Sequence, residues 1–167
     1  MKKVIATCLA VFVCCLANAQ MAKFQALYIY NFAKNTSWPA EDNGKDLVIT
    51  VIGDNDVVSE LTSLAKNKGV GNRKVTVKQS ATANNITQSD IIFLGETKSN
   101  QINTLITSQE KNKTLIVCGK KGLCQSGAAI SFVSEGGKLN FEISQKNIQK
   151  HGLTVSQKIV ALGTEVE

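Results

Sequence analysis

Side chains able to do chemistry are sparse in this 167-residue chain, and their spacing says more than their number. The one histidine, His151, stands in the stretch Gln149-Lys150-His151-Gly152, where a polar helix is expected to end and a cation suits the free carbonyls. A serine or cysteine nucleophile needs a base that a third group orients, and no second histidine offers one. Asp54 and Asp56 are close enough for paired-carboxylate work, but they follow an apolar run at the place where a helix cap is expected. Glu142 lies in the alternating stretch Leu139 to Ile143, where a partly buried carboxylate implies a structural ion pair before general-acid work. Gly69 to Arg73 carries half of a phosphate-loop pattern without the strand-to-helix context, so it reads as a turn with Arg73 on the surface. No catalytic residue, metal set or cofactor is expected.

The cysteines divide by position. Cys8, Cys14 and Cys15 fall in the first 19 residues, leaving Cys118 and Cys124 as the thiols of the remaining chain. An even pair outside the cytosol usually bonds, and closing a loop this small would contribute at most about 2.4 kcal/mol before strain. The plainer alternative is two unpaired small hydrophobes. Gly119, Lys120, Lys121 and Gly122 between them suggest an exposed loop.

The elements that must carry these residues begin after a leader. Lys2 and Lys3, the apolar stretch Val4 to Leu16 and Ala17-Asn18-Ala19 have the form of a signal peptide cut before Gln20. Its apolar core of about 13 residues is short of the roughly 20 that span a bilayer. The expected organisation is therefore a leader over 1–19 and one domain over 20–167, exported to the periplasm. The formal net charge of +6 is spread along the chain without a dense run or interleaved aromatics, which argues against nucleic acid as a partner.

Leu47 to Ile52 and Ile91 to Leu94 are continuous apolar runs, each closed by glycine, and imply strands buried on both faces. Asp54 is placed to cap a helix bearing Val57, Val58, Leu61, Leu64 and Ala65, and Ser99 one bearing Ile102, Leu105 and Ile106. Short strands are expected at Val75 to Val77 and Leu115 to Val117, with room for only a short crossover helix between Val77 and Ile91. Two later strands joined by Ser134-Glu135-Gly136-Gly137 form a hairpin, and short helices follow near Gln145 to Lys150 and within Val155 to Gly163. The fold class is α/β: three layers, a mainly parallel sheet with an antiparallel hairpin, and helices on both faces.

Several stretches together carry a resemblance. The opening Tyr28-Ile29-Tyr30-Asn31-Phe32-Ala33-Lys34 with Trp38-Pro39, then Gly71 to Val77, Ser89 to Gly95 and Gly127 to Gly163, resemble in the same order the YfiR-like (DUF4154) family of bacterial periplasmic proteins. The resemblance implies a regulatory domain without catalysis, which restrains a membrane-bound diguanylate cyclase by docking on its periplasmic sensor region, and in which disulfide redox state bears on that restraint. A sensor kinase is the alternative membrane partner, and a small-molecule ligand and a homodimer are further expectations.

The opening helix has more apolar surface than one core-facing stripe requires. Either it packs wholly within its own domain, or part of it also meets a partner. On the second reading the partner or ligand surface comprises Tyr28, Tyr30, Asn31, Lys34, Ser37, Trp38 and Pro39 with Thr154 and Ser156, Tyr30 pointing outward and Phe24 inward. A ligand pocket is expected between the Asn35 to Pro39 and Gly152 to Ser156 segments.

Overall fold

The computed structural model describes residues 20–38 and 45–167; the expected leader over 1–19, and Pro39, lie outside them. The first element is a helix over 20–35, α1, followed by β1 (Thr36–Ser37), β2 (Leu47–Ile52), α2 (Asn55–Asn67), β3 (Val75–Ser80) and β4 (Ile91–Leu94). A 3-10 segment (Glu96–Gln101) leads into α3 (Ile102–Gln109) and β5 (Leu115–Cys118). A second 3-10 turn (Leu123–Ser126) precedes β6 (Ile130–Glu135), β7 (Lys138–Ile143), α4 (Gln145–Lys150), β8 (Thr154–Val155), α5 (Gln157–Val160) and β9 (Thr164–Glu165). Among the described residues no helix is long and apolar enough to cross a membrane.

Seven strands form one sheet in the order β3-β2-β4-β5-β6-β7-β9. The first five are mutually parallel, β7 returns antiparallel to β6, and β9 runs parallel to β7. The apolar runs dictate this, because strands without period-two alternation must be covered on both faces. Leu47, Ile49, Val51, Ile91, Phe93, Leu115 and Val117 enter one core with α1 and α2. Ile52, Ile92, Leu94, Ile116 and Cys118 enter the other with Ile102 and Leu105 of α3. The expected three layers and the hairpin are thus observed.

Local chemistry fixes the element ends. The Val57 N–H donates to Asp54 Oδ1 at 3.0 Å, so Asp54 caps α2 as its position foretold. Gly136 and Gly137 both have positive φ, 59° and 75°, the conformation that a tight two-residue hairpin turn demands. Ser144 and Ser156 cap α4 and α5 through their hydroxyls.

Three expectations are corrected. Ser99 caps nothing: it lies inside the 3-10 segment, whose own turns take up the incoming N–H groups, including a bond from the Ile102 N–H to the Ser99 carbonyl. The crossover from β3 to β4 contains no helix. Residues 81–90 instead run irregularly, with the Ala83 N–H donating to Gln101 Oε1 at 2.8 Å and Gln109 Nε2 donating to the Ile86 carbonyl at 3.2 Å. Arg73 is not a surface residue of the turn, since its guanidinium is mostly covered, pairs with Asp90 at 3.0 Å and donates to the Lys45 and Asp46 carbonyls. That pairing ties the entry of β2 to the start of β4.

The aromatic packing under α1 yields a stability contrast. Phe32→Ala should cost about 3–5 kcal/mol in urea unfolding, because it empties a fully buried ring site. Leu27→Ala on the outer face of the same helix should stay within about 0.5 kcal/mol.

Candidate functional site

Helix α1 has two faces, and the structure sets their phase. Ala22, Ala26, Ile29, Tyr30, Phe32 and Ala33 are buried, whereas Lys23, Phe24, Leu27, Asn31 and Lys34 are exposed at helical spacing. The expected orientation is therefore corrected at two positions. Phe24 points outward, 42% exposed, and Tyr30 inward, 4% exposed. Bulky aromatics dominate a reading of the pattern, but the inner face also takes in Ala22, Ala26, Ile29 and Ala33, three of which are small and easily overlooked.

The buried phenol of Tyr30 donates to the Gly69 carbonyl, and desolvation raises its pKa above the ordinary tyrosine value. Tyr28 is half-buried, with its ring 5.6 Å from Phe141 and 5.9 Å from Phe132. Lys34 keeps its ammonium 5.1 Å from the centre of the Tyr30 ring. Asn31 is exposed, and its backbone carbonyl accepts from Asn35 Nδ2 at 2.9 Å.

The Asn35 to Trp38 and Thr154 to Ser156 segments do meet. They meet as a two-stranded backbone clip: Thr36 pairs with Val155 and Ser37 with Thr154, and the Ser156 N–H donates to the Asn35 carbonyl at 2.8 Å. Trp38 Nε1 donates to the Lys113 carbonyl at 3.1 Å, fastening the end of α1 near the start of β5. Thr36 Oγ1 is buried with no hydrogen-bond partner among the described residues.

The clip and the two-faced helix lie at the ends of a stretch that a family model, DUF4154, YfiR/HmsC-like, matches from residue 22 to residue 164. The chain belongs to that family. YfiR/HmsC-like proteins are periplasmic regulators in cyclic-di-GMP signalling, regulatory and not catalytic. Among curated proteins none matches this sequence. Of solved structures, the chain is similar to a conserved domain protein from Vibrio cholerae O1 biovar El Tor strain N16961, at 13% identity and a TM-score of 0.56 over 87% of this chain and 60% of that one. It is also similar to the ABC domain from Streptococcus pneumonia solved with L-Trp, at 14% identity and a TM-score of 0.54 over 72% of this chain and 55% of that one. At such identities the likeness speaks of fold alone, and this YfiR/HmsC-like chain spans little more than half the length of either.

His151, Glu142 and the two cysteines are among the remaining reactive groups of the YfiR/HmsC-like domain. His151 ends α4, is buried, and its Nδ1 donates to the Asn112 carbonyl at 2.8 Å, consistent with a helix-end role. Among the described residues Glu142 makes no ion pair of the expected kind; its Oε2 accepts from the Gly122 N–H at 2.8 Å. Cys118 and Cys124 are unbonded and buried, so the expected disulfide is not present in the structure, although the loop between them is exposed at Lys120 and Lys121 as expected. The 3-10 turn between two left-handed glycines, Gly122 and Gly127, tucks Cys124 against the sheet, where Sγ meets Ser131 Oγ at 3.4 Å. Phe24 and Leu27 are the surface residues that sequence pattern missed, and the alanine spacing of α1 was the available signal.

Burial pushes the Cys124 thiol up to about 11 and the Cys118 thiol higher still, from an ordinary value of 9.0. Both thiols stay protonated in the fold while the unfolded chain ionises, so stability is complete below pH 9 and falls as pH rises from there. Cys124→Ala should flatten that fall in urea unfolding measured from pH 8 to 11. In parallel, a thiol reagent at pH 8 should find the native protein silent and label both cysteines once it is denatured without reductant.

Proposed function

We propose that the protein restrains an inner-membrane signalling protein of the diguanylate cyclase type by docking on its periplasmic region, with the outer face of α1 as a principal contact. On this reading residues 1–19 are removed as a signal peptide, and 20–167 form one regulatory domain. Family membership over residues 22–164 supports the class of activity. The observation that carries the surface is the pairing of Phe24 and Leu27. They are two of the three large hydrophobics exposed among the described residues, they stand three apart on one helix, and Lys23, Asn31 and Lys34 flank them. Apolar anchors within a polar rim are the usual anatomy of a protein contact.

The clip gives this face its rigidity. Tyr28 and Phe32 fix α1 from beneath, while β1, β8 and Trp38 hold its carboxyl end, so docking need not order the helix first. Of the residues expected at this surface, Asn31, Lys34 and half-buried Tyr28 remain part of the reading. Buried Tyr30 supports it only from within.

The test is a pair of charge substitutions. Leu27→Glu should leave urea stability within about 0.5 kcal/mol, because the site is open to water. It should weaken binding to the cyclase's purified periplasmic region by about 100-fold, because a carboxylate would be desolvated without a partner. Cells carrying it should show raised cyclic-di-GMP. Tyr30→Glu should instead unfold the protein, since it places a charge where the core admits none. Unchanged binding by Leu27→Glu would remove α1 from the docking surface.

A further inference from the structure

We infer that the cleft at the carboxyl ends of β2 and β4 binds a small organic molecule carrying an ammonium group. Strand β2 has β3 on one side and β4 on the other, so the chain leaves the ends of β2 and β4 in opposite directions and opens a crevice between them. That reversal point is where parallel α/β sheets hold their ligands. Here it encloses about 530 Å3, within the size range of small-molecule sites. Its walls come from three separated segments: Gln25 of α1, Gly53 to Asp56 after β2, and Glu96 with Thr97 after β4.

Gln25 is the first observation that points to a ligand. The residue is only 9% exposed, it lines this cleft, and its amide has no hydrogen-bond partner among the described residues. The amide is not shut off from water, and the cleft that Gln25 lines is the opening through which it is reached. Both a donor and an acceptor are therefore presented toward the space that a ligand would fill.

The charge of the walls selects the ligand. Asp54, Asp56 and Glu96 line the cleft, with one oxygen of Asp54 already engaged by the Val57 N–H. The adjoining cation, Lys98, has its stem packed against Gly53, where any added Cβ would collide with it. Three carboxylates beside one lysine favour a positive ligand. They do not gather as a metal set among the described residues, so the fitting cation is an organic ammonium reaching the carboxylates of Asp56 and Glu96, with a polar group on the Gln25 amide. This inference stands on the cleft alone and is independent of docking through Leu27.

Two-dimensional amide NMR of the exported protein tests it, with putrescine as probe and butyrate as the anionic control of equal chain length. Putrescine should shift the backbone amides of Gly53, Asp56 and Thr97 and the side-chain amide of Gln25, saturably at millimolar concentration, while butyrate moves none of them. Glu96→Gln, at an exposed position, should fold normally and bind putrescine about tenfold more weakly, the loss of one charged hydrogen bond. Leu27→Glu should bind it as the wild type does. Shifts that never saturate or that spread over all acidic surface residues, equal binding of butyrate, or undiminished binding by Glu96→Gln would each overturn the assignment.

Discussion

Everything on the α1 side of the sheet depends on one aromatic cluster. Tyr28 and Phe32 reach down from α1 to Phe132 and Phe141 of the β6–β7 hairpin, with ring centres 5.0 to 6.0 Å apart, and Phe93 of β4 continues the contact at 6.1 Å from Phe132. Each such ring buries a large apolar area, and edge-to-face pairs add about 0.5–1.5 kcal/mol beyond it. The cluster joins the amino-terminal helix, the parallel strands and the antiparallel hairpin in one core. Gly163 is part of the same constraint, because the Phe141 ring lies where a Cβ would be.

With that contact in place, function-bearing surfaces become consequences of topology. Because the inner face of α1 is spent on the cluster, its outer face has to be presented to whatever lies outside, at a fixed height above the sheet. The same helix contributes Gln25 to the cleft at the end of β2 and β4, so α1 is common to the proposed docking surface and the proposed ligand site. On the opposite face of the sheet the described residues show a different arrangement. There Gln101 and Gln109 are turned inward to brace the irregular crossover, and the chemistry is that of a closed core.

How much of this was legible in the sequence follows from what each feature depends on. Continuous apolar runs and the cap at Asp54 are local, so strands, most helices and the hairpin could be read from neighbouring residues. The phase of α1 was misread because alanines, which define its inner face, carry little weight beside Phe24, Tyr28 and Tyr30. The lysine- and glycine-rich loop after Cys118 is exposed as its composition implied, yet the turn between two left-handed glycines that follows it tucks Cys124 against the sheet. The cleft was invisible for a different reason. Its residues come from positions near 25, 54 and 96, and only the reversal of strand order brings them together.

The central claim is that α1 is a clamped, preformed platform, and native-state hydrogen exchange tests it most directly. If the aromatic cluster holds the helix as described, the amides of Ala26 to Ala33 should exchange only through global unfolding, with the same free energy as those of β2, β4 and β5. Exchange of these amides by local opening, several kcal/mol below the strands, would show that the helix is loosely attached and would contradict the account.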